Sequence, residues 1–121
     1  MRVLIVDDSK AMRMMVRRVV SQASDRGATF SEAGDGQEAL EAIRAERPDL
    51  VLSDWNMPEM TGIELLNALN EEGITVPFGF VTSESSKEMK DLALKAGARF
   101  MICKPFTPAA FDAALRAVDL F

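Results

Sequence analysis

Four short apolar runs recur along the chain: Val3-Leu4-Ile5-Val6, Leu50-Val51-Leu52-Ser53, Phe78-Gly79-Phe80-Val81 and Phe100-Met101-Ile102-Cys103. Between them lie stretches with helical periodicity. Met12, Met15, Val16, Val19 and Val20 fall at i, i+3, i+4, i+7 and i+8, with Arg13, Arg17 and Arg18 off that stripe. A weaker run, Thr29-Phe30-Ser31-Glu32, supplies one more strand. Asp35 with Glu38 has the form of a capping box that opens a second helix, from Gly36 to Glu46, and Pro48 separates this helix from the next strand. Thr61 with Glu64 opens the third helix in the same manner, and Ser85 with Glu88 the fourth. The fourth helix has a buried stripe of Met89, Leu92, Ala93 and Ala96, and Gly97 stops it. Thr107-Pro108 opens the last helix, with Phe111, Ala114, Leu115 and Val118 on its inner face. This alternation predicts five β-α units. The fold class is therefore α/β, a five-stranded, doubly wound parallel sheet with five helices and right-handed crossovers.

Reactive side chains follow the ends of these runs: Asp7 with Asp8, then Asp54, Thr82 and Lys104. In a parallel sheet all of them emerge at one edge, where open α/β sheets place their ligands. Carboxylates a few ångströms apart repel by several kcal/mol even at an effective dielectric of about 20, so the cluster calls for a cation. Oxygen donors without Cys or His favour Mg²⁺, which keeps waters and accepts a phosphate. Asp54 is then placed to attack phosphorus and become an aspartyl phosphate. Mg²⁺ and Lys104 offer positive charge to the phosphoryl oxygens, and Thr82 a hydroxyl. Taken alone, Asp7-Asp8 also suits a solvated turn, and Thr82 a β-branched strand end. It is the coincidence of all these groups at strand ends that points to a phosphoryl site.

Composition narrows the chemistry further. The 121 residues make one domain, 1–121, with 48% apolar and 27% charged residues, a globular balance. A formal charge of −5 argues against a nucleic-acid partner. The N-terminal apolar run is too short for a signal peptide or membrane span, and a cytoplasmic protein is expected. The single cysteine, Cys103, is expected in the core and leaves no internal disulfide. With no histidine present, Ser-His-Asp triads and Cys/His zinc sites are excluded.

The stretch Asp54-Trp55-Asn56-Met57-Pro58-Glu59-Met60-Thr61-Gly62, with Val6-Asp7-Asp8-Ser9 and Lys104-Pro105-Phe106, resembles the receiver domain of two-component response regulators, in its stand-alone chemotaxis form. The resemblance covers essentially the whole chain. It implies a flavodoxin-like strand order of 2-1-3-4-5, an order this family itself exemplifies. It implies that Asp54 is the phosphoacceptor and Asp8 a direct Mg²⁺ ligand. Asp7 would reach the metal through water, the backbone carbonyl of Asn56 would complete the shell, and Lys104-Pro105 would be a cis peptide. Asn56 and Glu84 would flank the path of the water that attacks the phosphoryl group. The implied partners are a histidine kinase and a downstream protein such as a flagellar motor, bound by a monomer. The implied role is signalling, not enzymatic turnover. The chain stops as the fifth helix ends, so no output domain is expected. A shuttle to a histidine phosphotransfer protein is the alternative within the family. An aspartate-nucleophile phosphatase is the alternative outside it, but such enzymes place a second acid where this chain has Asn56.

In the family an aromatic residue on the fifth strand, three positions before the lysine, follows the threonine when the phosphoryl group arrives. Here that position is Met101, and Phe100 beside it points to the opposite face. A flexible methionine implies looser coupling. Gly79 inside the fourth strand marks either close packing or local plasticity. Lys87, Lys90, Lys95 and Arg99 offer either a docking face for an acidic segment or a solvated helix surface.

Overall fold

The computed structural model describes residues 1–23, 27–83 and 86–117. Ten elements alternate along the chain: β1 (Arg2–Val6), α1 (Lys10–Ala23), β2 (Thr29–Ala33), α2 (Gly36–Ala45), β3 (Leu50–Ser53), α3 (Gly62–Glu71), β4 (Phe78–Thr82), α4 (Lys87–Lys95), β5 (Phe100–Cys103) and α5 (Pro108–Ala117). All strand pairings are parallel, in the order β2-β1-β3-β4-β5. The weak second run is a full partner: Thr29 to Ala33 pair with Arg2 to Val6 residue for residue.

The central strands β1, β3 and β4 are almost continuously apolar because both faces of the sheet are covered, with Arg2, Ser53 and Thr82 falling at strand ends. Strand alternation divides their side chains cleanly. Leu4, Val6, Val51, Phe78 and Phe80 face Leu40, Ile43, Leu65, Leu66, Leu69 and Ala93 of α2, α3 and α4. Val3, Ile5, Leu50, Leu52, Val81 and Ile102 face Val16, Val20, Phe111 and Leu115 of α1 and α5. Each such side chain, fully buried, contributes about 1.5–3 kcal/mol. Phe78 and Phe80 meet edge-on at 5.2 Å, and Phe106 meets Phe111 at 4.9 Å.

Several local readings need correction. Met15 and Leu92 were expected in the buried stripes of α1 and α4 but are exposed, 52% and 55% respectively. In both helices the true stripe is narrower. Each of these residues immediately precedes a buried one, Val16 or Ala93, and so lies about 100° round the helix from it. The cap of α4 is Ser86, whose hydroxyl accepts the Met89 N–H at 3.2 Å. Ser85, the expected cap, lies outside the described residues, as do Glu84 and Val118. Cys103 is exposed, because β5 ends its burial at Ile102.

The cap of α3 follows the expected chemistry and that of α2 only half of it. Thr61 and Glu64 form a complete capping box. Asp35 accepts from Glu38 N at 2.7 Å, but the Glu38 carboxylate reaches back to Gly34 N, not to Asp35. Gly79 is explained by close packing. A Cβ there would overlap the ring of Phe100, its register partner on β5.

Candidate functional site

The C-terminal ends of β1, β3, β4 and β5 bring the reactive groups to one edge of the sheet. Asp54 N–H donates to the Val6 carbonyl at 2.9 Å, which sets the residue after β3 beside the residue after β1. Lys104 N–H donates to the Thr82 carbonyl at 2.9 Å and ties the end of β5 to β4 in the same way. Backbone pairing therefore fixes the lateral position of each side chain before the side chains interact.

Asp7, Asp8 and Asp54 each present a carboxylate oxygen within 4.8 Å of the others. Lys104 Nζ lies 2.9 Å from Asp7 Oδ2 and 3.3 Å from Asp54 Oδ2. These pairs are shielded from solvent, with side-chain exposures of only 16% for Lys104, 5% for Asp7 and 12% for Asp54. Asp7 is committed on both oxygens, since Oδ1 also accepts the Ser9 N–H at 2.9 Å. Asp54 Oδ1 accepts the Trp55 N–H at 2.7 Å. Asp8, by contrast, is exposed. Three carboxylates against one ammonium leave two negative charges in excess, an arrangement that fits a divalent hard cation.

The loop after Asp54 is held tightly. The Trp55 carbonyl accepts the Gly62 N–H at 2.8 Å, and Glu59 turns the chain with a left-handed φ of 66°. A Cβ on Gly62 would collide with the Asp54 carbonyl oxygen, so only glycine lets α3 start this close to the acid. The Trp55 ring is buried against Phe80 at 4.9 Å between centroids.

Thr82 ends β4 and is fully buried. Asn56 is exposed in the loop two residues beyond Asp54. The Lys104–Pro105 peptide is cis. Met101 packs on the α2–α3–α4 side of the sheet, and Phe100 on the α1–α5 side. Lys87, Lys90, Lys95 and Arg99 are all exposed.

One contributor was missed in the sequence. Arg13 Nη1 donates to the Asp7 carbonyl at 2.6 Å and its Nε to Glu32 at 2.9 Å. A signal was available, because a basic residue in the first turn of a helix opposes the helix dipole and calls for a specific partner.

The sequence matches the response regulator receiver domain over residues 3–116. The chain belongs to the response regulator receiver family. This receiver is 37% identical to the chemotaxis protein CheY of Thermotoga maritima, over 98% of the chain and 97% of the relative. It is 36% identical to CheY1 of Helicobacter pylori, covering 98% of the chain and 96% of the relative. Among solved structures it superposes on Vibrio cholerae chemotaxis protein CheY4 with a TM-score of 0.84 at 36% identity, covering 97% of both chains. The signal receiver domain of the putative response regulator NarL from Mycobacterium tuberculosis also superposes with a TM-score of 0.84, at 28% identity, over 97% of this chain and 94% of that one. Receivers bind Mg²⁺ at an acidic cluster of the kind formed here by Asp7, Asp8 and Asp54. Among the described residues, no helix is long and apolar enough to cross a membrane.

Proposed function

We propose that the chain is a single-domain response regulator in chemotaxis, with residues 1–121 forming one receiver that takes a phosphoryl group from a histidine kinase onto Asp54. The observation that carries this reading is the convergence of Asp7, Asp8 and Asp54 within 4.8 Å, with Lys104 bridging Asp7 and Asp54. Asp8, Asp54 and the Asn56 backbone carbonyl would hold Mg²⁺, and Asp7, already engaged on both oxygens, would reach it through water. When bound, the ion neutralises charge on the phosphoryl oxygens.

In the transfer, a carboxylate oxygen of Asp54 attacks phosphorus. A P–O bond forms as the P–N bond to the donor imidazole breaks, and the departing nitrogen takes up a proton. Lys104 places its ammonium on a phosphoryl oxygen, and the Thr82 hydroxyl donates to another. Hydrolysis by water returns the carboxylate and inorganic phosphate, and the family resemblance implies that the positions of Asn56 and Glu84 influence its rate. The chain acts as a phosphoacceptor, not as an enzyme with a separate substrate. Its output is phosphorylation-dependent binding by a cytoplasmic monomer to a protein target such as the flagellar motor, with no nucleic acid involved. The chemotaxis assignment is supported by relatives of matching length that are chemotaxis proteins.

The test is incubation with Mg²⁺ and acetyl phosphate, followed by Trp55 fluorescence and intact mass. Wild type should show an emission change and a hydroxylamine-labile phosphoryl adduct, and Asp54→Asn neither. An adduct of undiminished yield in Asp54→Asn would remove the phosphoacceptor assignment.

A further inference from the structure

We infer that Arg13 is a positioning residue for the cation site, acting through the peptide that joins Asp7 to Asp8; this rests on the Mg²⁺ reading above. The first turn of α1 contains no acidic residue, yet Arg13 sits there with only 17% of its side chain exposed. A cation in this place is opposed by the helix dipole, so its retention needs another source of stability. Two contacts supply it, the 2.9 Å ion pair to Glu32 on β2 and the 2.6 Å bond to the Asp7 carbonyl. Glu32 is itself held from a second side, since Arg17 lies 3.8 Å from its other oxygen and stacks over Phe30 at 5.3 Å. The guanidinium therefore hangs from a fixed anchor on the edge strand.

At the other end of this chain of contacts, Asp7 is held at every polar atom. Its N–H donates to the Ala33 carbonyl at 3.1 Å, its two carboxylate oxygens accept from Ser9 and Lys104, and its carbonyl accepts from Arg13. Peptide planarity transmits the last of these contacts. With the Asp7 carbonyl turned toward Arg13, the Asp8 N–H must point the opposite way, and the Asp8 Cα is fixed. Asp8 is the exposed member of the acidic trio, so its place in the cluster depends on that plane.

Two physical effects of Arg13 have opposite signs, which makes the inference decidable. As a bare positive charge, Arg13 repels Mg²⁺, and its removal would tighten binding. As the anchor of the Asp7–Asp8 peptide, it organises a ligand, and its removal loosens binding. Outer groups that orient metal ligands are worth about tenfold or more in affinity.

The experiment is a Mg²⁺ titration of the full chain followed by Trp55 emission, with thermal melts in EDTA alongside. Arg13→Met should weaken binding about tenfold. Arg13→Lys keeps the charge but cannot span Glu32 and the Asp7 carbonyl with one ammonium, and should also weaken it. Glu32→Gln still offers an oxygen to Arg13 and should stay within about twofold. Should Arg13→Met not fold, Arg13→Lys carries the same prediction. A variant that melts lower but titrates like wild type would show a merely stabilising arginine and overturn the inference, as would tighter binding in Arg13→Met. A wild type that does not respond to Mg²⁺ would sink the cation reading and this inference together. A wild type that responds while Arg13→Met and Arg13→Lys titrate unchanged would sink this inference alone.

Discussion

Replacing Lys104 by methionine removes the ammonium from among the carboxylates while keeping most of the aliphatic volume. At an effective dielectric of about 20, unit charges at 2.9 Å and 3.3 Å attract by about 5.7 and about 5.0 kcal/mol. Much of this gross attraction offsets the cost of desolvating the ions. Removing one partner of a buried pair typically costs about 3–5 kcal/mol net. The lower end applies here, because Asp8 is exposed and water reaches the cluster from that side. For 121 residues the unfolding entropy is about 0.25 kcal/mol per kelvin, so a loss of about 3 kcal/mol lowers Tm by about 12 °C. The same variant should respond more strongly to Mg²⁺ than wild type, since no ammonium competes with the ion for Asp7 and Asp54. At a hundred times its Kd, Mg²⁺ adds about 2.7 kcal/mol and should restore most of the lost Tm. Differential scanning calorimetry in EDTA and in Mg²⁺ measures both quantities. A Lys104→Met protein that melts within about 2 °C of wild type in EDTA and gains no more from Mg²⁺ would refute the reasoning.

Three other outcomes follow from the same coordinates. Gly79→Ala forces a methyl group into the Phe100 ring and should cost about 1–3 kcal/mol by urea denaturation; pairing it with Phe100→Leu should recover part of the loss. Glu64, whose carboxyl is held below the ordinary 4.5 first by the Thr61 backbone N–H and then by its hydroxyl, contributes stability that is complete above the unfolded value and is lost as pH falls through the lower folded value. The Tm difference between wild type and Glu64→Ala should therefore shrink from pH 6 to about pH 3. Met101→Tyr should strengthen the dependence of partner binding on phosphorylation, and identical phosphorylated-to-unphosphorylated affinity ratios in the two proteins would disprove looser coupling through Met101.

The strands were legible because burial on both faces leaves a continuous apolar run, and the acids were legible because they interrupt such runs abruptly. Asp7, Asp54 and Lys104 could be grouped from topology alone, as parallel strands leave no other edge for them. The helix stripes were read too widely. A spacing rule accepts any apolar residue within reach of the inward face, while packing against the sheet admits only the part nearest to it, and Met15 and Leu92 fall outside that part. Cys103 shows the same limit in a strand, since composition cannot say where burial ends. Arg13 escaped because its helix-dipole signal names no partner, and the partner that ties it to the site is a backbone carbonyl, which carries no side-chain signature in a sequence. The choice between close packing and plasticity at Gly79 needed the position of one ring, Phe100.

The partners at the centre of the pocket are distant along the polypeptide: Asp7 and Lys104 are separated by 97 positions, Asp54 and Lys104 by 50. No contiguous fragment can hold the assembled group unless it reaches from the opening strand to the closing one. A growing chain on the ribosome thus acquires its acids early and its lysine late. On the role proposed above for Lys104, competence to be modified requires a docked fifth strand, since the ammonium reaches Asp7 and Asp54 only from there.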